Sequence, residues 1–180
     1  MKKLLMALAA GLVCAAAAPS SMPITNSCNV HAWGAARNTE IRAAPSRDAR
    51  LLGTFRRRAA VESATDINGT FPEFRINAAR GGWFRVVHAD YGDYGDPLPR
   101  SRFYRGTGWV RGDQLGGQVL AGRLYAGPSE RSTSRDYGKP ADIVEIRRLL
   151  DCRGRWVKIE ADIGTGWVNG ICNNQVTTCN

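Results

Sequence analysis

The pentapeptide Gly-Thr-Gly-Trp-Val occurs twice in this chain, at Gly106–Val110 and again at Gly164–Val168. Each copy follows a short string in which Trp, basic and apolar residues alternate, Gly82–Val86 before the first and Arg155–Ile159 before the second. Alternation with a period of two residues is typical of a half-buried β-strand. Gly-Thr-Gly predicts a tight turn that returns the chain antiparallel. The repeated unit is therefore predicted to be a β-hairpin with one Trp on each arm.

The repetition extends upstream of both hairpins. The first copy contains Ile41–Ser46 and then Leu51–Phe55, and the second copy contains Leu124–Ser129. A strand, a Pro-Ser turn and a second strand fit both places. The chain is thus predicted to contain a duplicated β unit, which favours a binding module over an enzyme.

In this order, the strings resemble the bacterial SH3 (SH3b) family, which has an apolar-x-Arg-small-Gly-Pro-Ser string, a Gly-x-Trp-x-basic-Val strand and a Gly-x-x-Gly-Trp-Val strand. The sequence departs from the family at Ala44, where the family has Gly, and at Tyr125, where it has Arg. The second copy also lacks a clear apolar-apolar-Gly string after Ser129. The resemblance covers nearly all of the chain after residue 20. It implies an all-β fold of two tandem small SH3-like β-barrels, and it makes 141–150 a strand rather than an amphipathic helix.

The predicted organisation follows the repeat, with Gly116-Gly117 as the join. Trp83 and Trp109 are 26 residues apart (109 − 83), whereas Trp156 and Trp167 are 11 apart (167 − 156), so the first copy carries long loop insertions. The predicted segments are a signal peptide at 1–20, a leader at 21–27, SH3b-like domain 1 at 28–116 and SH3b-like domain 2 at 118–180.

The N-terminal residues are typical of a secretory signal. Lys2 and Lys3 form a basic n-region, Leu4–Val13 is a short apolar core, and Ala15–Ala18 supplies small residues for cleavage. The apolar core is too short to span a membrane. Gly11-Leu12-Val13 before Cys14 is a poor lipobox, so a lipid anchor is not expected. The sequence predicts an exported protein, periplasmic or secreted, without a transmembrane segment.

Four of the five cysteines follow the predicted signal peptide. An even number of cysteines in an exported protein predicts disulfides. If the last hairpin turns at Asp162–Ile163, Cys152 lies near Cys172, and cross-strand neighbours are close enough to be bridged. The predicted pairs are therefore Cys152–Cys172 and Cys28–Cys179. A local Cys172–Cys179 pair is the alternative.

The chain is basic, with a formal net charge of +9, which becomes +7 when Lys2 and Lys3 are removed with the signal. A basic surface suits anionic partners such as cell-wall polymers or lipid headgroups. Many exported proteins are also simply basic and soluble. Nucleic acid is not expected as a partner of an exported chain, and the oligomeric state is left open.

Six aromatic residues are candidates for the binding site. Two interpretations of the tryptophans are open: they fill the cores of small domains, or at least one lines an aromatic groove for a peptide or glycan. The candidates are Trp83, Trp109, Trp156, Trp167, Tyr104 and Tyr125.

The insertion at 88–105 exceeds an ordinary hairpin loop, and such loops are often functional. Tyr91 and Tyr94 are the predicted contacts for a partner. Three aspartates lie at three-residue spacing, which does not match the alternate ligand positions of the common calcium loop, so no metal is expected. They are Asp90, Asp93 and Asp96.

No catalytic constellation is recognisable. The two histidines, His31 and His88, have no free thiol to activate if the cysteines are paired, and no nucleophile-elbow, zinc-protease or phosphate-loop string occurs. The sequence therefore predicts a non-enzymatic exported binding module without a cofactor, which recognises peptidoglycan or a cell-envelope peptide. The alternative is a protein-interaction module that scaffolds or inhibits an envelope enzyme.

Overall fold

The structure is a computed structural model, and it describes residues 25–36, 38–56, 72–90, 106–120, 122–137 and 143–172. This part of the chain is all-β, with 71% of it in strands and no α-helix. The strands are β1 (Asn26–Gly34), β2 (Asn38–Arg42), β3 (Leu51–Arg56), β4 (Glu73–Arg80), β5 (Trp83–Asp90), β6 (Gly108–Arg111), β7 (Leu115–Leu120), β8 (Gly122–Tyr125), β9 (Ser134–Tyr137), β10 (Ile143–Arg153), β11 (Trp156–Ala161) and β12 (Gly164–Asn169).

The alternation before the first pentapeptide produces a strand with two different faces. Phe84 and Val86 of β5 are fully buried, whereas Trp83 and Arg85 between them are half-buried on the opposite face. The turn that leads into β5 is Gly81-Gly82, with φ of 56° and 77°. Positive φ at both central residues is the geometry that matches the twist of a two-residue hairpin, and glycine adopts it without strain. The predicted period of two is confirmed here.

The strands form one 12-stranded sheet in the order β3-β2-β6-β5-β4-β1-β7-β10-β11-β12-β8-β9. Read inward from one end, the order is β3-β2-β6-β5-β4, and read inward from the other end it is β9-β8-β12-β11-β10. These two sets of five strands have the same topology. We call β2–β6 the first unit and β8–β12 the second unit. The sheet is not closed, because β3 and β9 stand at opposite ends of the order. The duplication in the sequence therefore has a counterpart in strand order.

The second glycine of each pentapeptide is required by the neighbouring strand. A Cβ added at Gly108 would overlap the side chain of Ile41, and a Cβ added at Gly166 would overlap Leu124. Ile41 and Leu124 lie on the equivalent strands β2 and β8. In the second copy the turn falls at Asp162–Ile163, as the hairpin register predicted, so the Gly-Thr-Gly string there lies within β12 rather than forming the turn itself.

Strands β1 and β7 lie between the two units and belong to neither. Trp33 of β1 pairs with Gly116 of β7, and Gly117 pairs with Ile146 of β10. The predicted join at Gly116-Gly117 is thus inside a strand that is hydrogen-bonded on both sides. The domain boundaries at 28–116 and 118–180 stay a prediction.

Strand β1 is attached to the second unit by covalent and backbone bonds. Cys28 and Cys152 form a disulfide with a Cα–Cα distance of 5.6 Å. Next to it, the Asn29 amide donates to the Gly154 carbonyl at 2.7 Å, and the Gly154 amide donates to the Ser27 carbonyl at 2.8 Å. A disulfide of this kind persists outside the reducing cytosol. Within the described ranges, no helix is long and apolar enough to cross a membrane.

The predicted pairs Cys152–Cys172 and Cys28–Cys179 are wrong. The register of β11 on β12 is as predicted, with Val157 opposite Val168. However, the chain reverses again just before β11, so Cys152 lies on β10 opposite Val157, one strand farther from β12. Cys172 is also disulfide-bonded. The alternative pair Cys172–Cys179 stays a prediction, because Cys179 lies outside the described residues.

The apolar core is continuous from one unit to the other. Phe84 and Val110 of the first unit, Leu115 of β7 and Leu149 of the second unit are all almost fully buried in the same cluster. One tight contact between the units is at Gly112, in the short 3-10 turn after β6. A Cβ added there would overlap the carbonyl oxygen of Leu149 and press on the Phe84 ring. At this point the packing of the two units leaves no room for a side chain.

We predict that Gly112→Ala lowers the free energy of unfolding by about 1–3 kcal/mol, the usual cost of overpacking a core. The clash is with backbone, which a rotamer change cannot relieve. The matched control is Gly53→Ala in β3, where an added Cβ meets no atom within 4 Å. Urea unfolding of both variants checks this, and an unchanged midpoint for Gly112→Ala would contradict the packing described.

Peptide mapping of the oxidised protein without reduction is expected to yield the linked pairs Cys28–Cys152 and Cys172–Cys179. The double variant Cys28→Ser/Cys152→Ser should lose about 2–4 kcal/mol of unfolding free energy, because its unfolded chain is no longer cross-linked. Recovery of a Cys152–Cys172 peptide as the main product would refute this connectivity.

Candidate functional site

Both units carry the same arrangement of tryptophan and basic side chains on the face away from the core. In the first unit, Arg85 of β5 pairs across the sheet with Trp109 of β6, and Trp83 lies two residues before Arg85. In the second unit, Lys158 of β11 pairs with Trp167 of β12. Cross-strand partners share one face of a sheet. Each unit therefore has a Trp-basic-Trp group at equivalent positions.

In the second unit this group extends into an aromatic cluster. Trp167 pairs with Tyr125 of β8. The rings of Tyr125 and Trp156 meet edge to face, with centroids 5.1 Å apart and an interplanar angle of 86°. Tyr125 and Trp156 are half-buried, whereas Trp167 is only 7% exposed. We call these three residues the aromatic cluster.

The structure brings together only part of the predicted set. Trp83 and Trp109 lie on the first unit, where Trp109 pairs with Arg42 in the position that Tyr125 occupies in the second unit. Both tryptophans are half-buried. The remaining predicted contacts, Tyr91, Tyr94 and Tyr104, lie outside the described residues, as do Asp93 and Asp96.

The aromatic cluster continues into a row of four residues across adjacent strands. Asp151 of β10 pairs with Lys158, Lys158 pairs with Trp167, and Trp167 pairs with Tyr125. A carboxylate, an ammonium and two aromatic rings thus stand side by side on one face. Such a row suits a ligand that has a charged end and an apolar body.

A cavity of about 450 Å³ opens where the two units meet, and we call it the seam cavity. Its first-unit side is the β4–β5 turn, and its second-unit side is formed by β10, β11 and β12, with the first residue of β1 between them. The lining residues are Asn26, Gly81, Gly82, Leu150, Asp151, Arg153, Lys158 and Trp167.

The carboxylate of Asp151 is already engaged by its neighbours. The Asn26 side-chain amide donates to its two oxygens at 2.9 and 3.0 Å, and the backbone amide of Cys152 donates to Oδ1 at 2.8 Å. Lys158 is half-buried opposite Asp151, yet its side chain makes no hydrogen bond or ion pair with any residue that the structure describes. The seam cavity therefore contains a cation without a partner among the described residues.

The first unit treats the equivalent basic residue differently. Arg85 donates from Nε to Oδ1 of Asn77 at 2.8 Å. Asn77 lies eight residues before Arg85. Because the two hairpins share one register, the equivalent residue in the second unit is Leu150, eight residues before Lys158. The amide that accepts a hydrogen bond from the basic residue in the first unit is therefore replaced by an apolar side chain in the second.

A second cavity, of about 370 Å³, lies on the second unit beside Tyr125. Tyr137 in its lining donates its hydroxyl to the Leu120 carbonyl at 3.0 Å, and burial raises the pKa of the Tyr137 phenol. Arg123 at its rim faces Asp136 at 3.2 Å, with both side chains well exposed. Tyr137 and Arg123 of this cavity thus both have internal partners, unlike the side chain of Lys158 in the seam cavity.

Sequence reasoning missed most of the seam cavity. Lys158 was visible in the alternating string, but nothing near it in the sequence showed that it lacks a partner. Asn26 reaches Asp151 across 125 positions of the chain. No local pattern reports a contact between residues so far apart. Burial of Trp167 was also not readable from a period of two.

Among the residues that the structure describes, no group of three or more His, Cys, Asp or Glu side chains is placed to hold a metal ion. The two histidines both lie opposite Arg75, His31 on β1 and His88 on β5. No protein-family model matches the chain, and no curated protein or solved structure matches it either.

Replacing the two equivalent basic residues should affect stability differently. Arg85→Met removes a hydrogen bond and should lower the free energy of unfolding by about 1 kcal/mol. Lys158→Met removes a half-buried cation that has no described partner, so it should leave stability unchanged or raise it. Urea unfolding of the two variants measures the difference. A larger loss for Lys158→Met than for Arg85→Met would contradict the contacts described.

Proposed function

We propose that this protein is a non-enzymatic, exported binding module that recognises cell-wall peptidoglycan or a cell-envelope peptide. The observation that carries the proposal is the Trp-basic-Trp group on the face away from the core in both units. Three of these four tryptophans, Trp83, Trp109 and Trp156, are half-buried and lie outside the buried core cluster.

The chemistry of this face suits wall material. Half-buried indole rings offer a large, rigid contact area for a sugar ring or a peptide stem at low entropic cost. Neighbouring arginine and lysine side chains attract the anionic groups of a wall polymer. Because the apolar core and the Cys28–Cys152 disulfide connect the two units, their two tryptophan groups stay at a constant separation, which suits an extended ligand.

We also propose that the two five-stranded units correspond to two SH3b-like domains, at 28–116 and 118–180, after a signal peptide at 1–20. The repeated strand order and the repeated glycine contacts support this assignment. Export is supported by the disulfide between Cys28 and Cys152.

The test is co-sedimentation of the oxidised mature protein with isolated peptidoglycan sacculi at low and high salt. Trp156→Ala removes a ring that contacts Tyr125, and it should weaken binding about tenfold, or about 1.4 kcal/mol. The matched control is Ile143→Ala, which truncates an exposed apolar side chain on the same unit.

Salt-resistant pelleting that Trp156→Ala weakens and Ile143→Ala does not would support the proposal. Pelleting that disappears at high salt would mean charge attraction alone, since salt screens exposed charges. No pelleting at either salt would overturn the wall proposal and favour the alternative, an envelope protein as partner.

A further inference from the structure

We propose that the seam cavity is a binding site for a single carboxylate group, with Lys158 as its main cation and Arg153 as the second. The apolar part of the ligand would lie against Trp167 and Leu150. The class of ligand is a short peptide with a free C-terminal carboxylate. The inference rests on the proposed function only for the source of that peptide, the cell envelope.

The dimensions and lining of the cavity fit such a ligand. Sites for small molecules commonly have volumes of about 300–1,000 Å³, and the seam cavity has about 450 Å³. Its lining has two cations and one carboxylate, so the side-chain charges sum to +1 (2 − 1). An apolar wall with a few placed charged groups is the usual composition of a specific small-ligand site.

Lys158 is the lining residue whose surroundings most favour an anionic ligand. A charged group withdrawn from water is costly unless it is paired, and Lys158 is half-buried without a partner in the described part of the chain. Its cross-strand neighbour Asp151 forms no ion pair with it, and the Asp151 oxygens accept hydrogen bonds from the Asn26 and Cys152 amides instead. A ligand carboxylate would supply the ion pair that Lys158 lacks among the described residues.

Asp151 also limits the choice of ligand. Because this carboxylate remains in the lining, a polyanion such as a polyphosphate chain would be repelled more strongly than a single carboxylate. A peptide terminus carries one carboxylate. It also has amide N–H groups, which can donate hydrogen bonds to a carboxylate such as that of Asp151. The site is therefore suited to a terminus rather than to a charged polymer.

The site should be present once per chain although the units are duplicated. In the first unit Arg85 donates from Nε to the Asn77 amide oxygen, so the equivalent cation already has an internal hydrogen-bond partner. The replacement of this amide by Leu150 in the second unit both removes the internal partner and adds an apolar surface. The two copies have diverged at the position that decides whether an anion is bound.

The test is isothermal titration of the oxidised full mature chain with N-acetyl-Ala-Ala, and with the same dipeptide as its C-terminal amide. We expect one site per chain and at least tenfold weaker binding of the amide. Lys158→Met should also weaken binding of the acid at least tenfold. The matched control is Arg147→Met, which removes an exposed cation of β10 that does not line the seam cavity, and it should bind like the unaltered protein.

Equal binding of the acid and the amide, no binding of the acid, or equal loss in the two variants would overturn this assignment. Urea unfolding of both variants shows whether each is folded, and Lys158→Gln serves as a second variant if Lys158→Met does not fold. Pelleting with sacculi reports the wall proposal separately. Dipeptide binding without pelleting would overturn the wall proposal and support the carboxylate site. Pelleting without dipeptide binding would support the wall proposal and overturn the carboxylate site.

Discussion

The attachment of β1 to β10 is the interaction on which the arrangement of the two units depends. The Cys28–Cys152 disulfide and the paired amides of Asn29 and Gly154 hold the first described strand against the second unit, while the same strand pairs with β4 of the first. Asn26, at the start of β1, then reaches Asp151. One strand thus connects the units and also orients the carboxylate that borders the seam cavity. Without it the cavity would have neither its position nor its charge pattern.

Duplication explains the framework of the molecule, and divergence explains its candidate site. The glycines at 108 and 166 have the same role in the two copies, since each allows a neighbouring apolar side chain to pass. The basic residues at 85 and 158 differ, because within the described part of the chain only the side chain of the first makes a hydrogen bond. The shared glycines are therefore structural, whereas positions 85 and 158 show where the two copies differ at the candidate carboxylate site.

Much of the local structure was readable from the sequence, because local rules govern it. Alternation predicted β5 and β11, and the turn at Asp162–Ile163 set the pairing of Val157 with Val168. The same reasoning failed at Cys152, where the register was continued past a second chain reversal at Gly154. Contacts between β1 and β10 were not predictable at all, since they depend on how the two units pack. The seam cavity belongs to this second class, and so its residues were missed.

The disulfide also has a consequence for the order in which the chain matures. Cys28 and Cys152 are separated by 124 residues, so Cys28 is synthesised long before its partner exists. Cys152 has Cys172 only 20 residues away (172 − 152), and a shorter loop closes at lower entropic cost. The pairing that local reasoning favours is thus also the kinetic competitor of the native bond. The native bond joins β1 to β10, so its two sulfurs meet where the two units pack together, and a bond of this kind persists in an oxidising compartment.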